Sequence, residues 1–124
     1  MNLTLTNSEI YSYAMNLQSL FSDRSRCLPV KINFYIQKNK SILYNLAQDI
    51  EEARLGILKY YGVLNEETNE YEFEKEKAET ASKELEDLFN LTQEVELYTI
   101  DIDAFDNNTD MTIGEIDALM FMII

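Results

Sequence analysis

The residues with the clearest chemical spacing lie near the C-terminal end of the chain. Asp106, Asn108 and Asp110 occupy positions 1, 3 and 5 of a calcium-loop numbering, Thr112 position 7 and Asp117 position 12. Carboxylate, amide and carbonyl oxygens at these intervals are what a hard cation such as calcium requires, and a helix leaves the loop at its end. Two features depart from the pattern. Met111 stands at position 6, where glycine normally makes the sharp turn, and the segment before the loop reads as a strand. A polar turn of Asp and Asn followed by a helix cap accounts for the same residues without metal. The expectation is therefore no cofactor, with calcium as the alternative.

Other chemistry is poorly supplied. The 124 residues include no histidine, so the usual general base near neutral pH and the commonest metal ligand are missing. Cys27 is the single cysteine; Arg24 and Arg26 beside it would favour a thiolate, but no histidine can serve as its base, and no intramolecular disulfide can form. The three glycines, Gly56, Gly62 and Gly114, are scattered and make no phosphate-cradling loop. Carboxylate pairs such as Glu51-Glu52 and Asp101-Asp103 are expected by chance in so acidic a chain, and acid–base catalysis needs two carboxylates in unequal surroundings. The chain does not read as an enzyme.

Its carboxylates point instead to binding. With 23 Asp or Glu against 10 Lys or Arg, the formal charge is −13, which opposes contact with phosphate backbones and argues against direct nucleic-acid binding. The charge is also divided. Residues 1–40 hold two acids and five bases, a net of +3, while residues 41–124 hold 21 acids and five bases, a net of −16. Glu66, Glu67, Glu70, Glu72, Glu74, Glu76 and Glu79 form the densest acidic run and the candidate partner-binding face. Its expected counterpart is a protein with a basic groove; the plainer account of the charge is solubility.

The elements that must carry these residues follow from periodicity. Leu3 and Leu5 alternate with polar neighbours and predict a short strand. Thr6-Asn7-Ser8-Glu9 is a capping-box spacing, opening a helix with Ile10, Tyr13, Ala14, Leu17 and Leu20 on one face. Ser22 to Cys27 reads as a loop. Pro29 suits the first turn of the next helix, and Gly62 suits its C-terminal stop. Val63 to Phe73 reads as a loop or short hairpin. A further helix is expected over Glu74–Asn90, with Ala78, Ala81, Leu85, Leu88 and Phe89 on one face. Val95, Leu97, Ile100 and Ile102 read as a strand with a parity break near Tyr98-Thr99, expected as a bulge or kink, and as the partner of the opening strand. Thr112 to Glu115 repeats the capping box ahead of a last helix running to Ile124, apolar nearly all round and so expected to be buried in the core or in an interface.

From Pro29 to Tyr61 one pattern dominates. Ile32, Ile36, Asn39, Leu43, Leu46, Ile50, Ala53, Ile57 and Tyr60 follow an unbroken 4-3-4-3 spacing, a coiled-coil seam with one polar position at Asn39. The seam serves an intramolecular helical hairpin, an intermolecular coiled coil that makes a homo-oligomer, or a partner-binding stripe. The fold class expected is mostly helical α+β over one domain, residues 1–124: a long helix in an antiparallel helical hairpin, shorter N- and C-terminal helices and a small two-stranded sheet. Met1 to Leu20 lacks a basic start and does not read as a signal peptide. Ala118 to Ile124 is too short to span a bilayer, so a cytoplasmic location without membrane contact is expected.

Several segments together resemble a family of small acidic proteins from bacteriophages and prophages of Gram-positive bacteria. They are Asn2 to Glu9, Leu28-Pro29-Val30-Lys31, Ile36-Gln37-Lys38-Asn39, Ile50 to Arg54, Leu58 to Gly62, Glu84 to Leu88, Val95-Glu96-Leu97 and Ile116 to Ile123. The resemblance implies a viral accessory protein acting in the host cytoplasm, and it brings no catalytic residues. Combined with the acidic face, it leads to the expectation of a non-catalytic inhibitor of a host defence or nucleic-acid-handling enzyme, an anti-CRISPR-like protein that mimics nucleic acid. The alternatives are a phage assembly accessory protein that self-associates through its long helix, and a calcium-binding module.

Overall fold

The computed structural model describes residues 2–21, 28–105 and 111–124. The expected loop at Ser22 to Cys27, with its cysteine, lies outside the described residues.

Local signals set most boundaries. Strand β1 (Asn2–Thr6) runs directly into helix α1 (Asn7–Leu20). The capping box forms: Thr6 Oγ1 accepts from the Glu9 amide at 3.1 Å, and Glu9 Oε1 accepts from the Thr6 amide at 3.1 Å. Helix α2 (Val30–Tyr61) has 32 residues, about 48 Å at 1.5 Å per residue. Pro29 sits just outside it as the N-cap rather than in the first turn. Gly62 caps the other end with extended backbone (φ −119°, ψ 170°), so it is not the left-handed stop that glycine usually provides. A Cβ at Gly62 would stand 2.7 Å from Phe73 Cε1 and 2.9 Å from the Leu58 carbonyl oxygen. Glycine is needed here for space.

After α2 the chain forms the hairpin β2 (Val63–Asn65) and β3 (Glu70–Glu72), then α3 (Lys75–Asn90) and β4 (Thr92–Glu96). β4 pairs antiparallel with β1, Leu3 facing Val95 and Thr6 facing Thr92, as the opening strand requires. The result is mostly helical α+β, with α2 and α3 packed against each other across the hairpin and α1 packed against α2. The expected two-stranded sheet is present, and the β2–β3 hairpin adds another.

One buried cluster joins these elements. Ile10, Ala14, Leu17 and Phe21 of the α1 segment meet Ile32, Ile36, Leu43, Ala47 and Ile50 of α2, with Leu5, Val95, Leu97, Ile100, Leu119 and Met122 completing the core. The seam is thus covered by the chain itself as far as Ile50. It fades afterwards. Leu46 and Ile57 are half-buried, Ala53 is exposed and Tyr60 is 80% exposed, while Ala47, off the heptad spacing, is buried. A straight helix of 3.6 residues per turn drifts away from a 3.5-residue repeat, and α1 covers only part of the length of α2.

Two expectations near the C-terminal end need correction. The strand ends at Glu96, and the parity break at Tyr98-Thr99, expected as a bulge or kink, marks a change of partner. Beyond it Ile100 bridges Ile123 in parallel, with the Ile100 amide donating to the Met122 carbonyl at 2.8 Å and the Ile124 amide to the Ile100 carbonyl at 2.9 Å. The last helix, α4, covers Ile113–Leu119 and tightens into a 3-10 turn over Met120–Met122, leaving Ile123 and Ile124 extended. Leu119 and Met122 are buried, but Ile113, Met120 and Ile124 are exposed. The tail needs its backbone for Ile100 and Ile102, so it cannot continue as a helix.

Candidate functional site

The acidic run occupies the hairpin and the start of α3. Asn65 builds the turn: its Oδ1 accepts from the Glu67 amide at 3.0 Å, and its carbonyl accepts from the Asn69 amide at 2.7 Å. Asn69 closes the turn in the left-handed region at φ 59°, which asparagine tolerates. Strand alternation then sets Glu70 and Glu72 on one side of β3 and half-buried Tyr71 on the other. Asn65 Nδ2 donates to Glu72 Oε1 at 2.8 Å, tying the two strands together at that side.

Glu74 is the N-cap of α3, with Glu76 in its first turn. The partial positive charge of a helix N-terminus favours carboxylates at these positions. Glu79 follows three residues after Glu76, on the same side of the helix. Ala81 is buried against the rest of the fold, and Ala78, Leu85, Leu88 and Phe89 are half-buried, so the expected apolar face turns inward and the carboxylates turn out. All seven acids of the candidate face, Glu66 to Glu79, are exposed. Tyr61, at the end of α2, donates to Glu84 Oε1 at 2.7 Å and links the two helices; that bond holds the Tyr61 phenol above its usual pKa.

Beside these carboxylates lies apolar surface that periodicity did not assign to a site. Tyr60 and Val63 are 80% and 76% exposed, and Leu64 is exposed as well. The Tyr60 ring stands edge-on to that of Tyr61, centroids 4.8 Å apart. A recess of about 480 Å³ between the end of α2 and the hairpin is lined by Leu55, Leu58, Leu64 and Tyr71 together with Arg54 and Glu70. Large exposed aromatic and aliphatic groups inside a polar border are the composition of a protein-binding surface. The signal in the sequence was Val63-Leu64 standing directly before the acidic run. Tyr60 was hidden because it also fits the heptad spacing.

The seam residues Ile32, Ile36, Asn39, Leu43 and Ile50 are buried within the chain, so they present no free stripe. Asn39 donates from Nδ2 to the Tyr98 carbonyl at 2.7 Å and accepts at Oδ1 from the Tyr98 amide at 2.8 Å.

Of the calcium-like set, Asp106, Asn108 and Asp110 lie outside the described residues. Thr112 and Asp117 are described. Thr112 Oγ1 accepts from the Glu115 amide at 3.2 Å, Glu115 Oε1 accepts from the Thr112 amide at 3.0 Å, and the Thr112 carbonyl accepts from the Ile116 amide at 3.0 Å. Both oxygens of Thr112 therefore serve the start of α4, as the capping box predicts. Asp117 is exposed on α4, and the segment before the loop holds a 3-10 turn, Ile102–Ala104. Among the described residues no three His, Cys, Asp or Glu side chains gather as a metal site, and no helix is long and apolar enough to cross a membrane.

Compared with known proteins, the chain matches no family model, no curated protein and no solved structure.

Proposed function

We propose that this chain is a phage-encoded, non-catalytic binding protein: an acidic inhibitor that occupies the basic groove of a host defence or nucleic-acid-handling enzyme. The observation that carries this reading is the set of seven exposed carboxylates between Glu66 and Glu79, which outnumber the two lysines among them, Lys75 and Lys77, and stand beside exposed Tyr60 and Val63. A groove built for phosphates is lined by Lys and Arg, and carboxylates on a rigid hairpin and helix meet it with complementary potential. The apolar residues supply what charge alone does not, an anchor that persists when salt screens the electrostatics. The same reading places the protein in the host cytoplasm.

The test is capture of the tagged protein's partner from a host lysate, with identification by mass spectrometry. The expected partner is a nucleic-acid-handling protein whose own nucleic acid competes for the complex. Binding should weaken from about 0.1 M to about 1 M salt, as the Debye length contracts from about 10 to about 3 Å. Affinity indifferent to both salt and competing nucleic acid would overturn the reading.

A further inference from the structure

Strand β1 is bonded along one side only. Its register with β4 continues past Thr6, where the Asn7 amide donates to the Leu91 carbonyl at 2.8 Å. Antiparallel pairs that exchange backbone bonds alternate with pairs that do not. Leu5–Gln93 and Leu3–Val95 therefore exchange them, and Asn2, Thr4 and Thr6 turn their amides and carbonyls away from β4. Thr6 gives its amide to Glu9 Oε1 in the helix cap. Asn2 and Thr4 are exposed, and among the described residues nothing bonds their outward groups.

The two edges of this sheet differ in charge. On the β4 side the outward residues include Glu94 and Glu96, both exposed, and pairing two copies there would set carboxylate beside carboxylate. The β1 edge carries no such guard. Residues 2–20 hold a single charged side chain, Glu9, although charged residues make up 27% of the chain. In a molecule of charge −13, like charge opposes a second copy little along this edge.

We propose that the β1 edge pairs with itself. Two copies join antiparallel about a two-fold axis at Leu3, making one continuous sheet in the order β4-β1-β1-β4. In this register Asn2 of each copy faces Thr4 of the other, and the amides and carbonyls left open on both close against each other. A register about Thr4 would instead call on Thr6, whose amide is already bonded to Glu9. The half-buried Leu3 side chains, which pack against the core from one face of the sheet, meet at the axis with Cβ atoms about 4.5–5.5 Å apart. Such an interface is isologous and closes at two copies. It uses none of the carboxylates from Glu66 to Glu79, so the dimer does not depend on the proposed function.

Sedimentation equilibrium and amide hydrogen exchange on the full chain test it. Between about 10 μM and about 0.5 mM, the range of weak specific association, the wild type should pass from monomer to dimer. Over that range the Thr4 amide should come to exchange at least about tenfold more slowly, while the Glu94 amide on the guarded edge keeps its rate. Proline fits an edge strand where its missing N–H faces away from the ladder. Thr4→Pro should therefore keep the far-UV circular dichroism of the monomer and weaken the dimer at least about tenfold. A chain that stays monomeric up to about 0.5 mM would overturn the proposal, as would a dimer that a folded Thr4→Pro chain forms equally well. A wild-type dimer whose Thr4 amide exchanges as fast as in the monomer would overturn it whether or not the proline variant folds. Protection of Thr4 only when a host protein binds a monomeric chain would also overturn it, and would assign the edge to a foreign strand.

Discussion

The Asn39 carboxamide grips the main chain of Tyr98 at both of its polar groups, donating to the carbonyl at 2.7 Å and accepting from the amide at 2.8 Å. The side chain takes the place that a neighbouring strand would fill. It holds the chain where β4 has ended and the pairing with the C-terminal tail has not begun, and its Nδ2 also lies 3.3 Å from Met122 Sδ of that tail. A polar residue in a heptad seam usually sets the register of two helices. Here it fastens a helix to irregular backbone.

Replacing Asn39 with Leu keeps the volume apolar but leaves the amide and carbonyl of Tyr98 without partners. Both bonds are part-buried and Tyr98 itself is exposed, so Asn39→Leu should lower stability by about 1–3 kcal/mol in all, read as a reduced midpoint in urea denaturation. A midpoint at or above that of the wild type would show that the clamp adds nothing.

Burial separates positions that the seam treats as equivalent. Leu43→Asp places an unpaired charge at a fully buried site and should abolish cooperative melting. Leu46→Asp, at a half-buried site, should be milder. Tyr60→Asp, at an 80% exposed site, should change stability by no more than about 0.5 kcal/mol. Thermal denaturation of the three variants checks the order.

The two glycines flanking the end of α2 should respond in opposite directions. Gly56→Ala adds a methyl group to open space and improves helix propensity, so the monomer should gain about 0.5–1 kcal/mol. Gly62→Ala drives its methyl into Phe73 and the Leu58 carbonyl and should lose about 1–3 kcal/mol. Melting at micromolar concentration measures both.

Arg54 donates to Glu51 from Nε at 2.9 Å and from Nη2 at 2.6 Å. This bond holds the Glu51 carboxyl below its ordinary pKa. A carboxylate depressed in the folded state adds stability above its unfolded pKa and loses it as pH falls through the folded value. Both side chains are about one-third exposed, so Glu51→Gln should cost under about 1 kcal/mol near neutral pH. The difference between the two proteins should vanish on acidification, followed by denaturation at a series of pH values.

Combined reversal at Glu74, Glu76 and Glu79 to Lys should abolish partner capture while far-UV circular dichroism stays close to that of the wild type. The melting temperature should fall slightly, because Glu74 and Glu76 sit where the helix terminus favours negative charge, worth about 0.3–1 kcal/mol each. Retained capture with this variant would place the binding surface elsewhere.

The sequence by itself determined the helices. Thr6 with Glu9 and Thr112 with Glu115 cap across three residues, and apolar spacing marks α1, α2 and α3; these interactions close within a turn or two of chain, so adjacent residues specify them. The acidic run from Glu66 to Glu79 was equally legible, since charged side chains are costly to bury and stay outside. Tertiary structure alone decided what covers the seam, where it stops being covered, and that Tyr60 and Val63 stand free beside the carboxylates. It also decided that the chain leaves β1 after Glu96, passes Asn39 and ends paired with the tail, Ile100 beside Ile123. Backbone pairing of this kind is chosen by which distant groups arrive together, and periodicity along the chain reports only which face of an element is apolar, not what will meet it.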